Sequence, residues 1–345
     1  MANESDLSFD DLVEHRRDLQ EFCYGLRDGI TAFKDGPSFK VYLDKIALDP
    51  ASAHHLSSSA TCYESLLDCP RKFIRQSDPA FSKDAAKFVE LALKRPANRW
   101  ASDGSARIYC RCRTLPLVIK FTKSNSDELA KHINTIFRQL SDTGRLAIGE
   151  APGAKRQDWY PPNAYHTYWA LAVLEGCESK SKDRSGNFDS AIRRLPLARL
   201  HAEMLLWAHE AAAVQVALHS ADSPALDSDQ LAWAMAILFR FGQGFDVDIG
   251  EQDFIRTGLR CLFARQNNVG IWRTGRPLFH YKKSGNAHCY VFETFTVLLK
   301  AVLTTRDGTV FLRQALQPYA KKLLKLWGYA ISTRIPLNNN SSEIA

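Results

Sequence analysis

Nothing in this chain supplies the usual signatures of an assignable enzyme. It has no P-loop, no G-x-G-x-x-G turn, no G-x-S-x-G elbow, no kinase set and no H-E-x-x-H helix. It also lacks an uninterrupted apolar run of about 18 residues, so no membrane-spanning helix is expected. The start, Met1 to Asp11, is acidic and polar, without the basic start and apolar centre of a secretory signal. The cysteines (Cys23, Cys62, Cys69, Cys110, Cys112, Cys177, Cys261 and Cys289) follow no small-domain disulfide spacing, and several fall inside apolar helical patterns. These absences point to a reduced, cytoplasmic protein. They also remove the common phosphate-binding, hydrolase and zinc-protease chemistries from its reading.

What is present is enough apolar material for a sizeable core: 345 residues at 45% hydrophobic content, with a formal charge of +7. The basic residues are scattered and not gathered in a tail, which permits polyanion binding without requiring it. Helical periodicity dominates. In Phe81 to Lys94, the residues Phe81, Ala85, Phe88, Val89, Ala92 and Leu93 recur at the three-and-four spacing of one helix face. Similar patterns run through Phe9 to Phe33, Ala60 to Phe73, Glu128 to Leu140, Pro162 to Leu174, His201 to Leu218, Leu231 to Phe241, Phe254 to Ala264, Ala287 to Leu303 and Val310 to Tyr329. Ser57, Ser58 and Ser59 offer N-caps to the second of these, and Gly144 and Gly242 stand where helices should stop.

Arg107 to Lys120 reads differently. Pro116 interrupts a helix there, and the alternation Cys110-Arg111-Cys112-Arg113 suits a strand with the cysteines on one face and the arginines on the other. The organisation expected is an N-terminal helical region over 1–150, a stack of helical hairpins over 151–335 and a disordered tail over 336–345.

Two motifs carry a more specific suggestion. Asp227-Ser228-Asp229-Gln230 opens one helix, and a later helix ends in Gln266-Asn267-Asn268-Val269-Gly270-Ile271-Trp272, a Q-x-x-x-G-x-W element. In such an element the glutamine amide can satisfy orphan backbone groups where one helix ends and the next begins, while glycine permits the stop and tryptophan covers the turn. Together these motifs resemble the α/α-toroid proteins of the terpenoid cyclase and protein prenyltransferase group. The resemblance implies an all-α, α/α-toroid-like stack of helical hairpins with an N-terminal helical extension. Carried over from class II cyclases, it implies Asp229 as a proton-donating acid and Asp227 as its supporting carboxylate. Such an acid must be kept neutral beside a water-free cavity. Gln230 and Leu231 depart from the family's D-x-D-D pattern, and Asp227 with Gln230 equally forms a helix-capping arrangement.

The prenyltransferases of that group hold zinc with Asp, Cys and His. His280, His288, Cys289 and Cys261 have the right chemistry here, but adjacent helical residues diverge by about 100° and grip one ion poorly. His201, His209 and His219 are too far apart on one helix to share a metal. No metal or cofactor is therefore expected. The segment from Trp272 to Lys283 interleaves aromatics with Arg273, Arg276, His280, Lys282 and Lys283, a composition suited to phosphate or to stacked bases, and equally to a lid over a helical core. The function expected is a non-catalytic helical scaffold or regulatory module that binds a protein or an anionic ligand, nucleic acid included. The alternative is a class II terpene-cyclase-like or prenyltransferase-like enzyme using a toroid cavity.

Overall fold

The computed structural model describes residues 31, 34–39, 53–68, 79–95, 107–122, 127–142, 164–181, 195–220, 228–242, 249–266, 317–319 and 322. These residues are predominantly helical. In chain order the α-helices are α1 (Ala53–Asp68), α2 (Pro79–Lys94), α3 (Arg107–Phe121), α4 (Asp127–Asp142), α5 (Ala164–Ser181), α6 (Leu197–Ser220), α7 (Ser228–Phe241) and α8 (Ile249–Ala264). A small antiparallel hairpin, β1 (Lys34–Asp35) and β2 (Ser38–Phe39), precedes them, with Lys34 opposite Phe39 and Asp35 opposite Ser38. Gly36 makes its turn possible: it sits at φ 59°, the left-handed region that side chains avoid. No helix among the described residues is long and apolar enough to cross a membrane. The chain divides into two compact units whose boundary lies inside α6, between Glu203 and Met204.

The unit before that boundary is organised around α3. It packs against α1 and α5 most extensively and also touches α2 and α4. The extended strand expected over Arg107 to Lys120 is therefore corrected to a helix with Pro116 inside it. Proline removes one intrahelical hydrogen bond, at a cost of about 3 kcal/mol in an ordinary helix interior. Burial of Leu115, Leu117, Val118 and Ile119 offsets this cost, each such side chain contributing roughly 1.5–3 kcal/mol. Gly176 of α5 lets the two central helices approach closely, since a Cβ there would meet Ile119 Cγ2 at 3.1 Å. Every residue of α5 from His166 to Leu174 is buried, as befits a helix apolar around its whole circumference.

The hairpin is fastened to α1 and α2 by side chains. Phe39 N donates to Ser59 Oγ at 2.9 Å, and the Tyr63 hydroxyl donates to Pro37 O at 2.9 Å. Tyr63 meets Phe39 edge-on at 4.9 Å and lies 5.6 Å from Phe88 of α2. Lys34 pairs with Asp84 and stands 5.4 Å over the Phe81 ring. The serines expected to cap a helix near residue 60 thus lie inside α1, which starts at Ala53, and Ser59 serves the hairpin instead.

The unit after the boundary contains the rest of α6 with α7, α8 and a short 3-10 turn, Gln317–Tyr319. Leu231 to Ile237 of α7 are all buried, and α8 packs on α7 where a Cβ at Gly258 would strike Met235 Sδ. Gly242 ends α7 as its sequence position suggests. Its N–H donates to Leu238 O at 3.0 Å, and a Cβ there would collide with the same carbonyl oxygen. At the end of α8, Gln266 Nε2 donates to Lys322 O at 3.2 Å while Lys322 Nζ donates to Phe263 O at 2.6 Å. The first residue of the Q-x-x-x-G-x-W element therefore ties a helix end to a distant backbone, and a cation completes one of the helix's last carbonyls. Phe263 and Tyr319 stack at 4.4 Å beside this exchange.

Candidate functional site

The densest grouping of chemistry-bearing side chains among the described residues is buried, not surface-exposed. It is built on α3. Residues two apart on a helix point about 200° from each other, so Arg111 and Arg113 leave α3 on opposite flanks. Both flanks are covered, and the two arginines are only 6% and 4% exposed. This overturns the expected two-faced strand with cysteines on one side and arginines on the other. The tetrad Cys110 to Arg113 alternates in sequence but lies on a helix that is enclosed on several sides.

Arg113 is held from two directions. Its guanidinium pairs with Glu64 of α1, and its Cζ lies 3.7 Å over the Trp169 ring of α5. The carboxylate offers a directional acceptor and the indole a face of negative potential, the two environments in which a guanidinium tolerates removal from water. On the opposite flank Arg111 Nε donates to His132 Nδ1 of α4 at 3.4 Å, a long contact between two buried groups. As an acceptor, Nδ1 carries no proton, so the imidazole here is neutral. Its pKa falls from 6.5 to about 4, first because burial disfavours the charged ring and then because Arg111 repels a second positive charge. Glu128, on the same helix, opposes that trend and Lys131 adds to it.

Two signals in the sequence locate these partners. His132 falls between Leu129 and Ile133 in the apolar register of α4, and Glu64 follows Ala60 by one helical turn on the buried side of α1. A charged or polar residue at such a position marks an interior contact, but the contact's other half is set by tertiary packing.

The four thiols whose surroundings are described are not prepared for nucleophilic work. Cys62, Cys112, Cys177 and Cys261 are free and buried. Burial pushes Cys177 up to about 12, with Glu178 adding to the effect, and burial also raises Cys261. Among the described residues no group of three or more His, Cys, Asp or Glu side chains could hold a metal ion. His209 instead stacks on Phe254 of α8 at 4.6 Å.

Of the residues singled out from sequence, Asp229 lies in the first turn of α7, with its side chain outside the described set. Asp227, Arg273, Arg276, His280, Lys282, Lys283, His288 and Cys289 lie outside the described residues altogether. The structure therefore joins Arg113 to Glu64 and Trp169 on one flank of α3 and Arg111 to His132 on the other, two groupings that spacing alone does not give. Comparisons with protein-family models, with curated proteins and with solved structures return no match for this chain.

Proposed function

We propose that this chain is a non-catalytic helical scaffold or regulatory module, arranged as an α/α-toroid-like stack, whose α6 outer face receives a protein partner. The observation that carries this reading is the composition of that face. Leu206 is 61% exposed and Val214 is 55% exposed, and Ala202 and Ala217 are exposed on the same side of the helix. From Ala211 to Ser220 the helix contains no Asp, Glu, Lys or Arg. Exposed Glu210 lies between Leu206 and Val214, and the Arg199–Glu203 pair precedes them, so the uncharged part of this face is its C-terminal half around Val214 and Ala217, which is suited to burial against another surface.

An anionic ligand belongs to the same proposal as a second target, supported by the exposed Lys83, Lys87 and Lys94 of α2 and by the basic segment containing Arg273, Arg276, His280, Lys282 and Lys283.

A photo-crosslinking amino acid at position 214 tests the proposal against the same amino acid at position 87. Crosslinks to a protein from position 214, competed by the unlabelled chain but not by its Leu206→Glu/Val214→Glu variant, are expected. Equal competition by both chains rejects the α6 face. Incubation with isoprenoid diphosphates followed by mass spectrometry tests the enzymatic alternative. Product formed by the wild-type chain and lost in Asp229→Asn would replace the scaffold reading with the cyclase-like one.

A further inference from the structure

The α4 helix is seated on α3 by one apolar stripe, Leu129, Ile133, Ile136 and Phe137, all buried, with His132 in its middle. The outer side of α4 carries Glu128 and Lys131, paired with each other at 2.7 Å. From α3, the charged group that meets His132 is Arg111, and from its own helix Glu128 and Lys131 act on it. A stripe of aliphatic and aromatic side chains is indifferent to protons. Its one imidazole, 0% exposed and placed against a guanidinium 3.4 Å away, is not.

We propose that the Arg111–His132 contact is a proton-sensitive joint: a proton on the imidazole places two positive groups in contact inside the protein and releases α4 from α3. The α1–α3–α5 packing stays in place, because Arg113, Glu64 and Trp169 lie on the other flank of α3 and do not share the His132 contact. The released helix exposes Leu129, Ile133, Ile136 and Phe137, so an apolar surface becomes available under acidic conditions.

The direction follows from the shift. Above about pH 6.5 the ring is neutral in seated and released states alike and the joint holds in full. As the pH falls toward about 4 the released helix takes the proton first, and the joint weakens throughout that interval.

Hydrogen exchange of the intact chain, read by mass spectrometry on peptides from each helix and corrected for intrinsic rates, tests the proposal. Between about pH 7.5 and about pH 5, the protection of Asp127–Asp142 should fall on the order of 30-fold, while α1, α3 and α5 keep theirs. His132→Gln, which keeps an acceptor for Arg111 and cannot titrate, should hold the protection of α4 nearly constant. Arg111→Met removes the repelling cation and should make the fall smaller. Flat protection in the wild-type chain, an undiminished fall in His132→Gln, or parallel loss across α1, α3, α4 and α5 in the wild type would each overturn the proposal. The wild-type profile decides the matter by itself should either variant fail to fold.

Discussion

Helices α3 and α6 depart from amphipathicity in opposite directions. In α3 two arginines lie inside the protein, whereas in α6 a leucine and a valine lie outside it. The difference is one of partners. Arg111 and Arg113 each meet a group on a neighbouring helix, His132 for the first and Glu64 with Trp169 for the second, so both buried guanidinium groups have partners within the chain. Helix α6 presents Leu206 and Val214 to water, the face that the proposed partner would cover. Amphipathicity is thus a guide to which buried groups must find partners, and departures from it mark the positions worth testing.

The most disruptive way to test this contrast is to remove compensation from α3. Glu64→Gln should destabilise the chain by about 3 kcal/mol, because it leaves the Arg113 charge buried without its carboxylate. The paired replacement Glu64→Leu/Arg113→Met should cost distinctly less, since it withdraws both charges and keeps apolar volume. Urea unfolding of the three chains at neutral pH measures both quantities, and equal losses would show that packing, not charge, governs this flank.

A comparable effect is expected from pH on the other flank. Burial and Arg111 hold the His132 pKa near 4 against an ordinary 6.5, so the folded state binds fewer protons than the unfolded state between those values. Its contribution is complete above about pH 6.5 and should decline by about 3 kcal/mol as the pH falls to about 4. The difference in unfolding free energy between wild type and His132→Gln, followed across that interval, isolates this contribution. A difference that does not change with pH would remove the imidazole from the account.

Removing the hydroxyl in Tyr63→Phe should cost about 1 kcal/mol, since it deletes the hydrogen bond to Pro37 O while leaving the ring against Phe39 and Phe88. Thermal unfolding reads this loss. At the small end, Leu206→Lys should change stability by less than about 0.5 kcal/mol, because the side chain is already largely in water. A loss of several times that size would mean that Leu206 supports the fold, and the contrast with α3 would then disappear.

The helical character of the chain was legible where apolar spacing was regular. Phe81, Ala85, Phe88, Val89 and Ala92 occupy the buried side of α2 as their register indicates, and Gly242 ends α7. That Gln266 would bond backbone at the end of α8 was legible, but its partner, Lys322 O 56 residues on, was not. Arg107 to Lys120 misled because its polar alternation has a period of two and contains a proline. Both are local features, and the packing of α3 between α1 and α5 outweighs them. The Arg113, Glu64 and Trp169 grouping was illegible for the same reason: three helices far apart in sequence create it, and no single helix displays it.

The exchange between Lys322 and the end of α8 has a consequence for biosynthesis. The ammonium that completes the Phe263 carbonyl lies 59 residues further along the chain. During translation from the N-terminus, every residue of α8 is therefore made well before the group that finishes its end. A nascent chain stalled before Lys322 has a complete α8 sequence but lacks the ammonium and the carbonyl that Phe263 and Gln266 meet, so these two contacts at the helix end can form only late in synthesis.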